Sequence, residues 1–202
     1  ETLVAAAGRA GSLAHPLVAA LKQRVAAHDA SALPWVHWGS TGQDMVDTAM
    51  AMVTQRVKAR LDDDLGRLTA ALLALAQREA GTPMLARAQL QPSAATTLGF
   101  KLAGWVAPLL RARSRIARAA YDALQVQLGG AAGTLAVMGP RGPAVAERMA
   151  ERLALAAPAA AWHTQRDAWV SLGSEVAVLV GSLGKIGRDL SLLGQAEVGE
   201  LA

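Results

Sequence analysis

Two of the four histidines lie in segments whose residue types are typical of an active site. His37 is in "WVHWGSTGQD" and His163 is in "AWHTQRD", each beside a tryptophan and close to an amide or arginine side chain. Tryptophans that wall a pocket exclude water and shift the pKa of an imidazole, so both histidines are candidate catalytic residues. The alternative is a histidine that only fixes its loop by hydrogen bonds. His15 and His28 fall on a predicted helix, where surface or structural roles are expected.

Three polar segments carry hydrogen-bond donors that could bind a carboxylate. Hydroxyls, amides and an arginine without acidic partners favour recognition of a carboxylate. These donors are Ser40, Thr41 and Gln43 in the first segment, Arg87, Gln89, Gln91, Ser93, Thr96 and Thr97 in the second, and Thr134 with the backbone N–H groups of Gly129, Gly130 and Gly133 in the third. Such backbone groups can hold an anion. For the second segment the alternative is a capped helix start at Ser93.

Helices must position these segments, because apolar residues recur every three or four positions along most of the chain. Thr41 or Asp44 is the predicted cap of the longest helix. The predicted helices cover 12–28, 44–80, 93–127, 143–155 and 168–197. The polar segments therefore occupy the connections between helices.

The long helices carry seams of apolar residues with heptad-like spacing. The last helix has Trp169, Leu172, Val176, Leu179, Leu183, Ile186, Leu190 and Leu193, beside a stripe of small residues at Gly173, Ala177, Gly181 and Gly184. Glycine inside a helix costs about 1 kcal/mol relative to alanine, so the stripe favours close approach of another helix. Three such helices from one chain do not obviously close a core. We expect an all-α, intertwined oligomeric bundle.

Composition narrows the class of protein. Of 202 residues 52% are hydrophobic and 3% aromatic, which favours close-packed helices. The formal net charge is +4, but the basic residues are scattered among acids, which argues against a nucleic-acid face. No segment reads as a convincing transmembrane span, so no membrane partner is expected. The absence of cysteine excludes disulfides and thiolate metal sites, and fits a reducing compartment such as the cytoplasm.

The segments "HWGSTGQDMVDT", "TPMLARAQLQPSAATTLGFKLAGW", "QLGGAAGTLAVMG" and "WHTQRD" resemble, in order, those of the fumarase/aspartase superfamily. Within it, they are most similar to the carboxymuconate cycloisomerase branch. The resemblance implies an all-helical homotetramer with a central bundle of long helices and active sites shared between subunits. It implies no cofactor and no metal. The implied reaction of aromatic-acid degradation is reversible intramolecular addition of a carboxylate across a conjugated double bond, on a small di- or tricarboxylate substrate.

The resemblance also assigns residues. His37, Ser40, Thr41 and Gln43 match a region that contacts substrate carboxylates, and Arg87, Gln91, Thr96 and Thr97 match a second region. His163, Gln165 and Arg166 match the loop before the last helix; Arg166 is expected to fix that loop through Asp167. Many superfamily lyases have an "R-T-H" run whose histidine is a general acid. Arg87-Ala88-Gln89 lacks it, which favours the cycloisomerase branch, whereas Gly42 and Pro92 depart from residues common there.

The signature loop of the superfamily, whose serine is the expected base, would follow "AEVGE". We therefore expect a longer native protein, with residues 1–43 ending an N-terminal helical domain, residues 44–202 forming part of the central bundle, and the fragment alone inactive. Two other hypotheses stay open: an adenylosuccinate lyase-like enzyme and a non-catalytic helical scaffold.

Overall fold

Helices dominate the computed structural model, which describes residues 2–201. In chain order the elements are α1 (Leu3–Ala10), α2 (Ala14–His28), a 3-10 helix (Ala30–Trp35), α3 (Gly42–Arg78), β1 (Pro83–Ala88), β2 (Gln91–Thr97), α4 (Leu98–Ala123), a second 3-10 turn (Gly139–Arg141), α5 (Gly142–Leu153) and α6 (Asp167–Leu193). The prediction of an all-α fold built on long helices is confirmed. Among the described helices, none is both long and apolar enough to cross a membrane.

Helix α3 begins where the sequence places its cap. The backbone N–H of Thr41 donates to Oδ2 of Asp44 at 2.9 Å, the reach-back contact of a capping box. The helix then runs for 37 residues, about 55 Å at 1.5 Å per residue, and ends just before the Gly81–Thr82–Pro83 turn. Its length and both ends agree with prediction to within two residues.

A β-hairpin replaces the predicted start of the next helix, and the prediction that Ser93 caps it is wrong. Strands β1 and β2 pair antiparallel, with Ala88 opposite Gln91 across a two-residue turn. The cap is Thr97, whose Oγ1 accepts the N–H of Phe100 at 3.2 Å. Pro92 and the β-branched threonines favour extended backbone, and pairing with β1 supplies hydrogen bonds that an isolated segment lacks.

The chain forms two compact units. The first contains the residues up to Arg56 together with Tyr121–Asp167. Its apolar cluster is Leu128, Met138 and Ala146, with Leu135 and Met149 packed against it. The same unit buries four polar residues, which are Asp44, Asp47, Thr48 and Gln127. Buried polar groups require hydrogen-bond partners, so these four indicate where this unit is most constrained.

The second unit contains Val57–Ala120 and the residues from Ala168 onward. Here α4 contacts α6 through Trp105, whose indole N–H donates to Asp189 at 2.7 Å, and through Arg115, which donates to Glu175 at 2.7 Å. It contacts α3 at Gly99, where a Cβ would lie 2.5 Å from the carbonyl oxygen of Ala76. Helix α4 therefore contacts both other long helices of this unit.

The predicted α6 seam is only partly covered within this chain. Leu172, Leu179, Ile186 and Leu193 are buried at seven-residue intervals, whereas Val176 and Leu190 are 37% and 46% exposed. No described atom lies within 4 Å of a Cβ built on Gly173, Gly181 or Gly184. The close helix approach predicted at these glycines is thus absent inside the single chain. Beside Gly181 lies a cavity that Gly104, Trp105 and Pro108 of α4 also line.

Candidate active site

The carboxylate of Asp44 accepts hydrogen bonds from the backbone of the glycine-rich loop, which consists of residues 129–134. The N–H of Gly129 donates to Oδ1 at 3.1 Å, and the N–H of Gly130 donates to Oδ2 at 2.9 Å. The sequence predicts an anion at these N–H groups, and the structure shows that it is the chain's own Asp44 rather than a ligand. A carboxylate that is only 2% exposed requires such donors. The prediction of a ligand anion at these two groups is therefore wrong.

His163 completes the surroundings of that carboxylate. Its Nε2 lies 2.7 Å from Oδ1 of Asp44, and its side chain is 20% exposed. The ring packs against the glycine loop, since a Cβ on Gly129 would lie 2.9 Å from Cε1. The structure thus places this candidate catalytic histidine at the glycine-rich loop, with one nitrogen bound to a buried carboxylate.

Arg166 binds a second buried carboxylate on α3. Its two terminal nitrogens donate to Asp47 at 3.0 and 2.8 Å, and its guanidinium stacks 4.9 Å from the ring centroid of Trp162. The predicted pairing of Arg166 with Asp167 is wrong: Arg166 pairs with Asp47 instead, because a buried carboxylate requires a charged partner. Burial opposes ionisation of Asp47, but hydrogen bonds from Arg166, Gln43 and Gln127 outweigh it and lower the pKa of Asp47.

Gln127 joins these contacts into one network. Its backbone exchanges hydrogen bonds with the hydroxyl of Thr48 at 2.9 and 3.1 Å. Its side-chain oxygen accepts the backbone N–H of Trp162 at 3.0 Å. The start of α3, the glycine-rich loop and the "WHTQRD" loop are therefore held together by direct hydrogen bonds.

The residues at the centre of this network have no functional role predicted from the sequence: they are Asp44, Asp47, Thr48 and Gln127. A clue was present in "QDMVDT", because two acids spaced three residues apart share one face of a helix. Gln43, predicted to bind substrate, donates to Asp47 at 2.8 Å. The acids on α3 therefore position the segments that carry the candidate residues.

His37 lies in the loop before α3 with an unusual backbone. Its φ is +64°, a left-handed conformation that is rare for a residue with a side chain. Its Nε2 is buried and has no hydrogen-bond partner among the described residues. The hydroxyl of Ser40 donates to its carbonyl oxygen at 3.2 Å. Strain and an unsatisfied buried nitrogen are features that concentrate at functional sites.

The tryptophans beside the histidines differ in their surroundings. Trp162 is buried, and its indole N–H donates to the carbonyl of Val126 at 2.9 Å. Trp35 and Trp38 form a T-shaped pair with ring centroids 5.5 Å apart, but they are 68% and 40% exposed. Within this chain the expected aromatic wall is therefore present beside His163 and incomplete beside His37. Thr134 is exposed in the glycine-rich loop.

The second polar segment lies in the other compact unit. Arg87 donates to both oxygens of Glu200, at 2.8 and 3.0 Å, so the expectation of an arginine without an acidic partner is wrong. These hydrogen bonds raise the pKa of Arg87 and lower that of Glu200. Arg87 and Gln89 line a cavity of about 700 Å³, which Thr96, Lys101 and Arg188 also line. Gln91 lies at the start of β2, outside the lining of that cavity.

Comparison with known proteins places the chain in a family. The family model described as "Lyase" matches residues 12–202. The chain belongs to this lyase family, the fumarase/aspartase superfamily. No group of three or more histidine, aspartate or glutamate side chains placed to hold a metal occurs within residues 2–201 of this lyase chain.

Relatives within the lyase family carry related names. A protein of Bradyrhizobium diazoefficiens named 3-carboxy-cis,cis-muconate cycloisomerase is 47% identical over 98% of this chain and 44% of its own length. One of the same name from Pseudomonas aeruginosa is 46% identical over 98% and 43%. The crystal structure of 3-carboxy-cis,cis-muconate lactonizing enzyme from Pseudomonas putida matches with a TM-score of 0.92 and 42% identity, over 98% of this chain and 45% of that one. The chain spans less than half the length of each.

Gly42, where the sequence is expected to depart from its family, lies at a close contact between two helices of this lyase chain. A Cβ on Gly42 would lie 2.8 Å from the Cβ of Ala14, which is buried. A serine at position 42 would therefore require α2 to move. Close packing between α2 and the start of α3 therefore favours glycine at position 42.

Proposed function

We propose that the protein containing this chain is a 3-carboxy-cis,cis-muconate cycloisomerase. The observation that carries the proposal is 46–47% identity, across 98% of the chain, to two proteins of that name. Ala88-Gln89 supports it, because the superfamily lyases that the chain resembles have a general-acid histidine in that run. The reaction is the reversible addition of one substrate carboxylate and one proton across the conjugated diene, which gives γ-carboxymuconolactone; the free acids of substrate and product are isomers. It uses neither cofactor nor metal.

The chemistry requires two kinds of protein group. Attack of a carboxylate oxygen on the double bond moves an electron pair toward a second carboxylate, whose developing aci form needs hydrogen-bond donors. A proton must then reach carbon from a positioned acid. His37 and His163 are the proposed catalytic residues. The proposed substrate-binding residues are Ser40, Thr41, Gln43, Arg87, Gln89, Gln91, Thr134 and Arg166.

Arg87 and Arg166 have different roles in this scheme. Both already bind a carboxylate of the protein, at Glu200 and Asp47 respectively. We assign Arg87 a role in binding substrate. It would bind either through guanidinium N–H groups that do not contact Glu200, or by exchanging Glu200 for a carboxylate of the substrate. Arg166 contributes a positive charge next to the "WHTQRD" loop. This division predicts that Arg87 variants change KM, and that Arg166 variants change both KM and the free energy of unfolding.

We further propose a cytoplasmic homotetramer whose sites are shared between subunits. The exposure of Val176 and Leu190 on the α6 seam, and the open space beside Gly181 and Gly184, support this assembly. In that arrangement residues 1–43 end an N-terminal helical domain and residues 44–202 contribute to the central bundle. A partner helix would lie against the stripe.

The assembly is tested by Gly181→Leu, with Gly8→Leu on α1 as the matched control. Both glycines are helical and have no described atom within 4 Å of a built Cβ. Light scattering should give a tetramer for the wild type and the control, and a smaller species for Gly181→Leu. A wild-type monomer would contradict the assembly.

The activity is tested by ultraviolet absorbance, with the protein extended to the length of its relatives. Addition to 3-carboxy-cis,cis-muconate should bleach the diene absorbance and yield the lactone by NMR. No bleaching, with fumarate released from adenylosuccinate, would assign the protein to a lyase branch instead. A folded tetramer that neither turns over nor binds either compound would indicate a helical scaffold.

A further inference from the structure

The Asp44–His163 contact has a chemical consequence for the proposed site. We propose that Asp44 is a positioning residue, which holds the hydrogen of His163 on Nε2 and leaves Nδ1 as the nitrogen that meets substrate. The inference rests on the proposed function for its catalytic part. Its structural part stands on the geometry around the two side chains.

The partners of Asp44 determine which nitrogen carries hydrogen. Three backbone N–H groups donate to its oxygens: Thr41 and Gly130 to Oδ2, each at 2.9 Å, and Gly129 to Oδ1 at 3.1 Å. An ionised carboxylate only accepts hydrogen bonds, and backbone N–H groups only donate. The fourth partner, Nε2 of His163 at 2.7 Å, must then donate as well. A neutral His163 therefore has hydrogen on Nε2 and a lone pair on Nδ1.

The glycine-rich loop leaves the other ring nitrogen uncovered. A Cβ built on Gly133 would lie 3.6 Å from Nδ1 and would cover it. Because glycine has no Cβ, this side of Nδ1 stays open. Nδ1 has no hydrogen bond to any residue in the described part of the chain. The side chain keeps 20% of its surface exposed, although its Asp44 partner is buried. Nδ1 is thus the ring nitrogen available to a ligand at this loop.

The same carboxylate fixes the ring relative to the loop. Asp44 lies in the first turn of α3 and binds the backbone of Gly129 and Gly130 as well as the imidazole. Any proton that reaches Nδ1 makes an imidazolium whose charge Asp44 stabilises through Nε2–H, as in carboxylate–histidine pairs of hydrolases. His163 can therefore take up and return a proton at Nδ1 without changing its orientation.

Nitrogen-15 NMR of the histidine rings tests the structural part in the unmodified protein. At alkaline pH, where imidazoles are neutral, His163 should show a pyrrole-type Nε2 and a pyridine-type Nδ1. His163→Gln identifies the signals by their loss. A pyridine-type Nε2 would overturn the proposal, whether or not the protein proves to be a cycloisomerase.

Two substitutions test the catalytic part. Asp44→Asn should lower kcat at least about tenfold with KM within about threefold, and should increase the Nδ1–H tautomer of His163. In a His163→Gln background the same change should alter kcat by less than about twofold, because its effect passes through the imidazole. Equal losses in both backgrounds would overturn the positioning role.

Asp47→Asn is the matched control for the loss of a buried carboxylate. Asp47 lies one helical turn away and is as buried as Asp44, but it binds Arg166 instead of His163. The Asp47→Asn substitution should leave the tautomer of His163 unchanged. If Asp44→Asn fails to fold, the NMR of the unmodified protein still decides the proposal.

Discussion

Arg166 and Asp47 lie 119 residues apart and form two parallel hydrogen bonds, at 3.0 and 2.8 Å. Asp47 is 1% exposed, whereas the arginine side chain is 33% exposed. The pair connects α3 to the loop that carries His163, and it lies beside the Asp44 network on the same helix. Stability and site geometry are therefore coupled at the start of α3.

Arg166→Lys should lower the free energy of unfolding by about 2 kcal/mol. Lysine keeps the charge but loses the planar pair of donors and the stacking on Trp162. Urea denaturation measures the change. Arg148→Lys is the control, because its pair with Glu151 is 78% and 64% exposed and should change stability by less than about 0.5 kcal/mol. Equal effects at the two positions would contradict a structural role for the Arg166 pair.

Acid should destabilise the protein partly through Asp47. Its pKa in the folded state is lower than the ordinary value of 3.8, so ionised Asp47 stabilises the fold above that pH. This contribution is lost as the pH falls through the folded-state pKa. Asp47→Asn should therefore be less stable at neutral pH and show a shallower loss of unfolding free energy between about pH 5 and pH 2. A variant with the wild-type acid slope would contradict this contribution.

Gly129→Ala should lower the free energy of unfolding by about 3 kcal/mol through overpacking. The new Cβ would lie 2.6 Å from the Cβ of Ala161 and 3.0 Å from the Cα of Gly133. Gly8→Ala on α1 meets no described atom within 4 Å, and should raise stability by about 0.5–1 kcal/mol through helix propensity. Thermal and urea denaturation compare the two. A neutral Gly129→Ala would show that the loop relaxes freely.

His37→Ala should reduce turnover of 3-carboxy-cis,cis-muconate about 100-fold, as expected when a positioned acid or base is removed. Its buried Nε2 has no partner among residues 2–201, so the substitution removes no hydrogen bond of that atom there. His15→Ala, at an exposed position on α2, should keep wild-type turnover. Steady-state kinetics on folded protein measures both. Wild-type turnover of His37→Ala would remove this residue from the site.

The hairpin turn should be stabilised by glycine. Gln89 and Leu90 have φ of +51° and +64°, and a turn with two positive φ angles favours Asn-Gly. Leu90→Gly should raise the free energy of unfolding by about 0.5–1 kcal/mol, because it relieves the left-handed strain. Ala88→Gly, in the adjoining strand, should lower it by a similar amount. If both changes destabilise equally, the turn conformation is not strained.

Local sequence patterns determined much of this protein. The cap at Thr41 and Asp44 and the extent of α3 depend on residues within a few positions of each other. The apolar spacing of α6 likewise predicts the heptad at Leu172 and Leu179. The residue types of the polar segments and their order along the chain were sufficient to recognise the family. Short-range geometry is encoded by short-range spacing, so it can be read without a structure.

Only the tertiary structure determined which residues pair with one another through hydrogen bonds and ion pairs. Gly129 and Gly130 bind Asp44, Arg166 binds Asp47 and Arg87 binds Glu200, across 85 to 119 residues of chain. The segment at Ser93 became a strand because β1 offered it a pairing edge. No spacing rule specifies which distant donor reaches a buried carboxylate. That choice follows from packing, which brings the two groups together where water is excluded and each must find a partner.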